Sequence, residues 1–321
     1  MMRRRLFTSA ALIAASALGA ARAWSQESAP FEVLEFDWAD EKRQRPVPVR
    51  LYWPQPVSWT AAVPLVVFSH GIGGSRRGYR YLGEHWSSHG IASLHLQHVG
   101  SDRNLWLGNP LGLIGRLQDA AQEREAIERP RDLRFALDTL LESALGERID
   151  RQRIVAAGHS YGANTTLLAA GARVVRDGRV VVLHDERVTA AIVLSAPPFY
   201  GEAEPVRILG PVQVPTLHVT ATGDIIRIPG YYSGAEDRIA VFEACGGKRK
   251  ALAVYEGGSH SMFTDRPGTG GSELNPRVKR ATQELSLAFL QSQFGRGRAG
   301  AMAQWLERHR PIVARHALDI A

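Results

Sequence analysis

The chain has 321 residues, of which 45% are hydrophobic and 22% are charged, with one cysteine and a net charge of +7. A chain of this length can bury a substantial core. The single cysteine, Cys245, excludes an internal disulfide, which a core of this size does not need. The positive charge forms no run of five or more like residues, so we expect no nucleic-acid partner.

The first 23 residues have the order of a signal peptide. Three arginines at 3–5 precede a largely apolar, uncharged run at 6–18, and Ala21-Arg22-Ala23 supplies a small-x-small cleavage site. The run is shorter than the roughly 18 residues of a membrane-spanning helix, and Arg4-Arg5-Leu6-Phe7 resembles the twin-arginine export signal. We expect a periplasmic or secreted protein. Removing the peptide, which holds four arginines and no acid, would lower the net charge from +7 to +3.

The remaining residues, 24–321, are expected to form one domain and a monomer. Alternating apolar and polar residues predict a hairpin of two strands at 31–38 and 47–53, and Pro48 favours an edge position because proline cannot donate to a ladder. Further along, predicted strands cover 65–68, 91–96, 153–157, 190–194, 216–220 and 251–255. Predicted helices cover 79–89, 130–144, 161–171, 276–294 and 301–316. This alternation predicts an α/β fold, with a mostly parallel central sheet flanked by helices on both faces.

Residues 100–129 are longer and less regular than the other connections, and Asn109-Pro110 and Gly112 are turn signals. We expect this segment to fold over the sheet as a lid or as a wall of a pocket.

The motif Gly158-His159-Ser160-Tyr161-Gly162 joins the predicted buried strand at 153–157 to the helix that begins at Tyr161. A G-x-S-x-G motif alone is weak evidence, but this strand–turn–helix setting is the one that a nucleophile elbow needs. We therefore predict that Ser160 is a catalytic nucleophile.

A serine nucleophile needs a base, and the base needs a carboxylate that orients it. His260 lies in the glycine-containing loop after the last predicted central strand, and Asp224 follows the strand at 216–220. The order Ser, Asp, His along the chain suits this fold, so we predict that these residues form a triad with Ser160. The main competitor for the acid, Asp185, precedes the strand at 190–194 and should lie at the wrong edge of the sheet.

Two backbone N–H groups should stabilise the oxyanion of the tetrahedral intermediate. Tyr161, the residue after the nucleophile, supplies one, and the loop His70-Gly71-Ile72-Gly73-Gly74 supplies the other. We predict Ile72 as the second donor, with Gly71 as the runner-up, and we interpret His70 and His159 as scaffold residues.

Together these residues predict a serine hydrolase that cleaves carboxylic esters through an acyl-enzyme, with no metal and no organic cofactor. Acyl transfer by the same triad and a non-catalytic binding protein on a hydrolase scaffold are the alternatives. A small molecule, a lipid or a polymer could supply the ester. The residues expected to line the substrate pocket are Ile72, Tyr161, Pro197, Pro198, Phe199, Tyr200, Ile225, Ile226 and Met262.

Three segments resemble the platelet-activating factor acetylhydrolases and the dienelactone-hydrolase-like proteins of the α/β-hydrolase superfamily. They are 68–74, Ser88-His89-Gly90 and the motif around Ser160, within a resemblance that covers about residues 31–295. Dienelactone hydrolases use a cysteine nucleophile, where this chain has serine. The acetylhydrolases take their acid from the end of the strand after the nucleophile helix, where this chain has Ser195, so the acid must come from Asp224.

The segments 215–224 and 257–261 are similar instead to the cutinase-type polyester hydrolases, which include enzymes that cleave PET. Those enzymes usually have Met after the nucleophile and Trp after the next strand, where this chain has Tyr161 and Pro198. Met262 replaces the cysteine that follows their histidine segment. The resemblance implies hydrolysis of a carboxylic ester and leaves lipid, polyester and small-ester substrates open.

Overall fold

The computed structural model describes residues 30–55, 62–176, 178–202, 204–266, 271 and 273–318. The predicted signal peptide lies outside these ranges, and its prediction stays untested. Within the ranges, no helix combines the length and the apolar character needed to cross a membrane.

The described part of the chain contains thirteen strands and eight α-helices. The strands are β1 (Phe31–Asp40), β2 (Arg45–Pro54), β3 (Val63–Ser69), β4 (Ala92–Leu96), β5 (Ile149–His159), β6 (Val174–Arg176), β7 (Arg179–Val181), β8 (Val188–Leu194), β9 (Thr216–Ala221), β10 (Ile226–Ile228), β11 (Tyr231–Ser233), β12 (Lys250–Tyr255) and β13 (Val313–Ala317). The helices are α1 (Arg80–Ser87), α2 (Leu113–Ala120), α3 (Glu123–Glu142), α4 (Tyr161–Ala169), α5 (Pro205–Leu209), α6 (Ala235–Ala244), α7 (Leu274–Gln293) and α8 (Ala301–His309).

Nine of these strands form one sheet, in the order β1-β2-β4-β3-β5-β8-β9-β12-β13. The six strands from β4 to β12 run parallel to one another, while β2 and β13 pair antiparallel with β4 and β12. The prediction of a mostly parallel central sheet is therefore confirmed. The hairpins β6–β7 and β10–β11 lie outside the large sheet.

Both faces of the sheet are covered, because the central strands are apolar on both sides. In β3, Leu65 and Val67 belong to one core cluster, and Val66 and Phe68 belong to the other. The first cluster contains side chains of α3 and α4, and the second contains side chains of α1 and α7. Successive strand residues point to opposite faces, so these helices lie on opposite sides of the sheet. The predicted helical layers are confirmed.

The prediction that Pro48 marks an edge strand is wrong, because β2 lies between β1 and β4. The ladder with β4 covers only Val49–Tyr52. Pro48 lies just outside that ladder, and its carbonyl accepts a hydrogen bond of 2.9 Å from the Gln97 N–H. The missing N–H of the proline therefore costs no ladder bond with β4.

Two predicted helix boundaries are also wrong. Helix α3 begins at Glu123 and contains Pro130 in its interior, because the buried Arg129 anchors its first turns through hydrogen bonds to other elements. At the other end of the chain, α8 ends before Pro311, which cannot continue a helix. Val313–Ala317 then pair with β12 as the edge strand β13.

Five histidines are buried in this core, and burial lowers the pKa of each. They are His70, His95, His98, His159 and His218, all at most 3% exposed. The pKa falls to about 3 for His95, His159 and His218. The pKa falls well below the usual value of 6.5 for His70 and His98. The folded chain therefore keeps these imidazoles neutral under mildly acidic conditions, whereas the unfolded chain would protonate them.

We predict a steep loss of stability in acid. Below about pH 6.5 the unfolded chain binds more protons, so each histidine lowers the free energy of unfolding by up to about 1.4 kcal/mol per pH unit. Five such groups would remove most of a typical stability of about 5–15 kcal/mol by pH 5 to 4. Urea unfolding followed by tryptophan fluorescence between pH 8 and pH 5 measures the slope. His218→Gln should reduce that slope by about a fifth, and a stability that stays flat over this range would contradict the prediction.

Candidate active site

The three residues predicted as a triad lie at one edge of the sheet. Ser160 follows β5, Asp224 follows β9 and His260 follows β12. These strands are parallel and lie close together in the order β5-β8-β9-β12. Their carboxyl ends therefore share an edge, which is where open α/β sheets place their ligands.

The turn at Ser160 is tight and strained. Ser160 has φ 56° and ψ −123°, a conformation that non-glycine residues rarely adopt. A Cβ at Gly162 would overlap the Ser69 carbonyl oxygen, and one at Gly158 would overlap the Gly162 carbonyl oxygen. Both glycines of the motif are therefore required by close backbone contact. The turn holds the serine directly before the N-terminus of α4.

His260 contacts both other residues through its ring nitrogens. Its Nε2 lies 2.7 Å from Ser160 Oγ, and its Nδ1 lies 2.7 Å from Asp224 Oδ1. An ionised carboxylate only accepts hydrogen bonds, so Nδ1 carries the proton and Nε2 accepts from the serine hydroxyl. The side chain of His260 is 17% exposed, while that of Asp224 is fully buried.

Three further residues contact the Asp224 carboxylate. The hydroxyls of Ser195 and of Thr220 donate to Oδ2, the latter at 2.7 Å. The buried Arg238 guanidinium of α6 lies 3.3 Å from Oδ1. Burial alone would raise the pKa of Asp224, but the hydrogen bond from His260 and the charges of His260 and Arg238 hold it well below its usual value of 3.8. Asp224 therefore stays ionised at neutral pH.

These three supporting residues were not predicted from the sequence in this role. Ser195 had one signal, since it stands where the acetylhydrolases are expected to carry their acid. Its hydroxyl instead donates to the acid from the neighbouring strand. The competing acid, Asp185, lies before β8 and pairs with Arg187 at 2.6 Å, so the structure does not bring it to His260.

His159 links two parts of the site. Its Nε2–H donates to the His260 carbonyl at 3.0 Å, and its Nδ1 accepts from the Tyr79 hydroxyl at 2.8 Å. The Gly71 N–H in turn donates to the Tyr79 oxygen at 3.3 Å. Since burial lowers the pKa of His159 to about 3, the ring stays neutral and holds the His260 turn next to the loop that contains Ile72.

The N–H groups of Ile72 and Tyr161 are available as donors. Neither forms a hydrogen bond with another residue in the described ranges, whereas the N–H of the runner-up Gly71 is already bonded to Tyr79. The loop before Ile72 is fixed, because the His70 ring donates to the Gly71 carbonyl and the buried Arg129 donates to the His70 carbonyl. Ile72, Tyr161 and Ser160 line the same cavity, so these two N–H groups remain the predicted oxyanion donors.

A cavity of about 610 Å³ opens beside Ser160. Its walls include Ile72, Tyr161, Pro197, Pro198, Phe199, Tyr200 and Ile226, all of which were expected there. Two expected residues lie elsewhere. Ile225 is 36% exposed and is not among the described lining residues, although its neighbour Ile226 lines the cavity. Met262 is fully buried in the core against Gly258.

Part of the irregular segment 100–129 also lines this cavity. Leu117 of α2 and the stretch Ala121–Glu123 contribute to the wall. Trp106 lies against the loop at 70–74, where its Nε1–H donates to the Gly73 carbonyl at 2.8 Å. The segment therefore lies on the cavity as a wall, and its movement as a lid stays a prediction.

Comparison with known proteins agrees with the resemblance to the platelet-activating factor acetylhydrolases. Residues 39–103 match the family model of platelet-activating factor acetylhydrolase, isoform II. The chain is 24% identical to the platelet-activating factor acetylhydrolase of Cavia porcellus, over 78% of this chain and 62% of the length of that relative.

Solved structures agree with the fold. A ferulic acid esterase from Streptomyces cinnamoneus has a TM-score of 0.60 at 23% identity, covering 84% of this chain and 92% of its own. A cold-adapted esterase from an Arctic intertidal metagenomic library has a TM-score of 0.53 at 17% identity, and the match covers 78% of this chain and 94% of the esterase. A dienelactone hydrolase from Anabaena variabilis has a TM-score of 0.51 at 18% identity, and the match covers 78% of this chain and 96% of the hydrolase. The chain is therefore a protein of the α/β-hydrolase fold that resembles the platelet-activating factor acetylhydrolases.

Proposed function

We propose that this chain is a serine hydrolase that cleaves carboxylic esters through an acyl-enzyme. One observation carries the proposal: the His260 imidazole is hydrogen-bonded at 2.7 Å both to Ser160 Oγ and to the buried Asp224 carboxylate. A nucleophile, a base and a group that orients the base are the parts that acyl transfer through serine needs. The names of the relatives, an acetylhydrolase and esterases, support the same chemistry.

In the first step, Ser160 Oγ attacks the ester carbonyl while His260 Nε2 takes its proton. The imidazolium that forms is stabilised by Asp224, which stays ionised because its pKa is held low. The N–H groups of Ile72 and Tyr161 bind the oxyanion, and each such donor contributes about 3–4 kcal/mol to lowering the barrier. His260 then protonates the leaving alcohol, and the acyl group remains on Ser160.

In the second step, water takes the place of the alcohol. His260 removes a proton from the water, which attacks the acyl-enzyme carbonyl, and the same two N–H groups bind the second oxyanion. Collapse of this intermediate returns the proton to Ser160 Oγ and releases the carboxylic acid. An alcohol in place of water would make the reaction an acyl transfer, so the choice between the two acceptors is decided by product analysis.

A panel of p-nitrophenyl esters from acetate to dodecanoate, with a polyester film and an added alcohol, tests this function. We expect saturable release of p-nitrophenol, formation of the free acid, and time-dependent inactivation by an organophosphate. Release of soluble acid and alcohol fragments from the film would add a polyester substrate. Formation of a new ester from the added alcohol would add acyl transfer. A folded protein that turns over no ester in the panel would overturn the proposal.

We also propose that the protein is exported and that the mature chain begins near Trp24. The support is the basic, apolar and small-x-small order of residues 1–23. Expression of the full chain in a bacterial host, followed by N-terminal sequencing of the periplasmic fraction, tests this. Protein found only in the cytoplasm with its first residues intact would contradict it.

A further inference from the structure

The carbonyl of Gly73 joins three parts of the site, and the proposed mechanism does not use it. It accepts a hydrogen bond from the Trp106 Nε1–H at 2.8 Å and another from the Arg266 guanidinium at 3.2 Å. Trp106 belongs to the segment 100–129, which forms part of the cavity wall, and Arg266 follows the short helical turn His260–Phe263. Two donors from distant parts of the chain therefore meet on one peptide oxygen.

Two peptide groups connect this carbonyl with the predicted oxyanion donor. In a trans peptide the C=O and the N–H point in opposite directions, and the peptides here are trans. The Gly73 carbonyl shares a peptide with the Gly74 N–H, which donates to the Gly71 carbonyl at 3.0 Å. The Gly71 carbonyl in turn shares a peptide with the Ile72 N–H. The direction of the Ile72 N–H is therefore fixed through two peptide groups in series.

The indole of Trp106 packs directly on this loop. Gly73 has φ 69°, which favours glycine, and a Cβ at Gly73 would overlap the Trp106 ring. The Arg266 guanidinium lies 4.8 Å from the centre of the same ring, in a cation–π contact. The Gly73 N–H also donates to the Ser101 carbonyl at 2.8 Å. These contacts keep the indole N–H directed at the Gly73 carbonyl.

Trp106 also connects the loop at 70–74 with the cavity wall. The Arg116 side chain of α2 donates to the Leu105 carbonyl at 2.9 Å, next to Trp106, and Leu117 of the same helix lines the cavity. The Trp106 side chain itself is not among the described lining residues of the cavity, and it is 44% exposed. Its substitution should therefore leave the hydrophobic core intact.

Building on the proposed ester hydrolysis, we propose that Trp106 is a positioning residue: together with Arg266 it holds the Gly73–Gly74 peptide so that the Ile72 N–H is directed at the oxyanion. A donor that is already oriented stabilises the oxyanion without reorganisation during the reaction. Both chemical steps form an oxyanion, whereas the bound ester does not carry one. Loss of this constraint should therefore lower kcat and leave KM nearly unchanged.

The first variant is Trp106→Phe, which removes the indole N–H and keeps an aromatic ring beside Arg266. With p-nitrophenyl acetate we expect kcat to fall by about 10-fold and KM to stay within about 2-fold of the wild-type value. Arg266→Met keeps the Trp106 bond and should lower kcat by about 3-fold. The double variant leaves the Gly73 carbonyl without either donor and should lower kcat by about 10²-fold, which approaches the loss of a whole oxyanion donor.

Inhibition by a trifluoromethyl ketone distinguishes positioning from a general structural role. Attack of Ser160 on the ketone forms a tetrahedral adduct that carries an oxyanion, as the transition state does. The inhibition constant should therefore rise in each variant by about the factor by which kcat falls. Circular dichroism and urea unfolding on the same samples check that the variants remain folded.

Trp305→Phe is the matched control. The Trp305 Nε1–H donates to the Ala281 carbonyl at 2.7 Å, and the side chain is fully buried, so the change removes the same kind of indole–carbonyl bond between α7 and α8. It should lower the free energy of unfolding and leave kcat and the inhibition constant unchanged.

Wild-type kinetics in the folded double variant, or a loss of kcat without weaker inhibition by the ketone, would overturn the inference. If either single variant failed to fold, the other would still test it. An inactive wild type would instead contradict the proposed function, so the two failures are distinguished by the activity of the wild type on p-nitrophenyl acetate.

Discussion

Ser160→Ala should lower kcat/KM for every ester in the panel by about 10⁵-fold or more, because it removes the proposed nucleophile and leaves only the binding and oxyanion contributions. The fold should be unaffected, since alanine keeps the Cβ that the turn already accommodates at φ 56°. Steady-state kinetics and circular dichroism on the same samples measure both effects.

Ser143→Ala is the matched control. Ser143 ends α3, and its hydroxyl donates to the Leu140 carbonyl, at the edge of the sheet opposite to Ser160. It should retain wild-type kinetics. If Ser160→Ala were as active as Ser143→Ala, another residue would have to be the nucleophile.

Asp224→Asn should lower kcat by about 10⁴-fold, because an amide no longer fixes the His260 tautomer or stabilises its charged form. The substitution has a second effect. Arg238 is 2% exposed, and its guanidinium loses the carboxylate at 3.3 Å. A buried charge left without its partner destabilises a protein by about 3–5 kcal/mol. Kinetics must therefore be measured together with urea unfolding.

The double variant Asp224→Asn/Arg238→Met separates the two effects. It removes both buried charges, so stability should return towards the wild-type value, while kcat should remain as low as in the single variant. Asp185→Asn removes a buried carboxylate that pairs with Arg187 and should cost stability without loss of kcat. Activity restored in the double variant would mean that Asp224 acts only by holding the fold together.

The part of the site that the sequence predicts well is the part set by local geometry. The elbow around Ser160 needs two glycines at fixed positions, since a Cβ at either would overlap a backbone carbonyl, and this requirement is visible in five residues. Chain order then predicts which loops hold Asp224 and His260, because parallel strands end at a common edge.

The residues that surround Asp224 could not be predicted in the same way. Arg238 comes from α6 and approaches the carboxylate through space, and no sequence pattern encodes that contact. Side-chain placement at the end of a short strand is equally hidden: Ile226, the first residue of β10, lines the cavity while the adjacent Ile225 is exposed. The start of α3 was missed because Pro130 suggests a helix start, whereas hydrogen bonds from Arg129 to Ser101 and Thr165 anchor the preceding turns.

The most direct test of the central claim is covalent labelling with diethyl p-nitrophenyl phosphate, located by mass spectrometry of peptides. We predict one diethylphosphoryl group per chain, on Ser160, and labelling slowed by about 10³-fold or more in Asp224→Asn, since the same base activates the serine. A folded protein that is labelled on another serine, or not at all, would contradict the assignment of Ser160, His260 and Asp224 as one reactive unit.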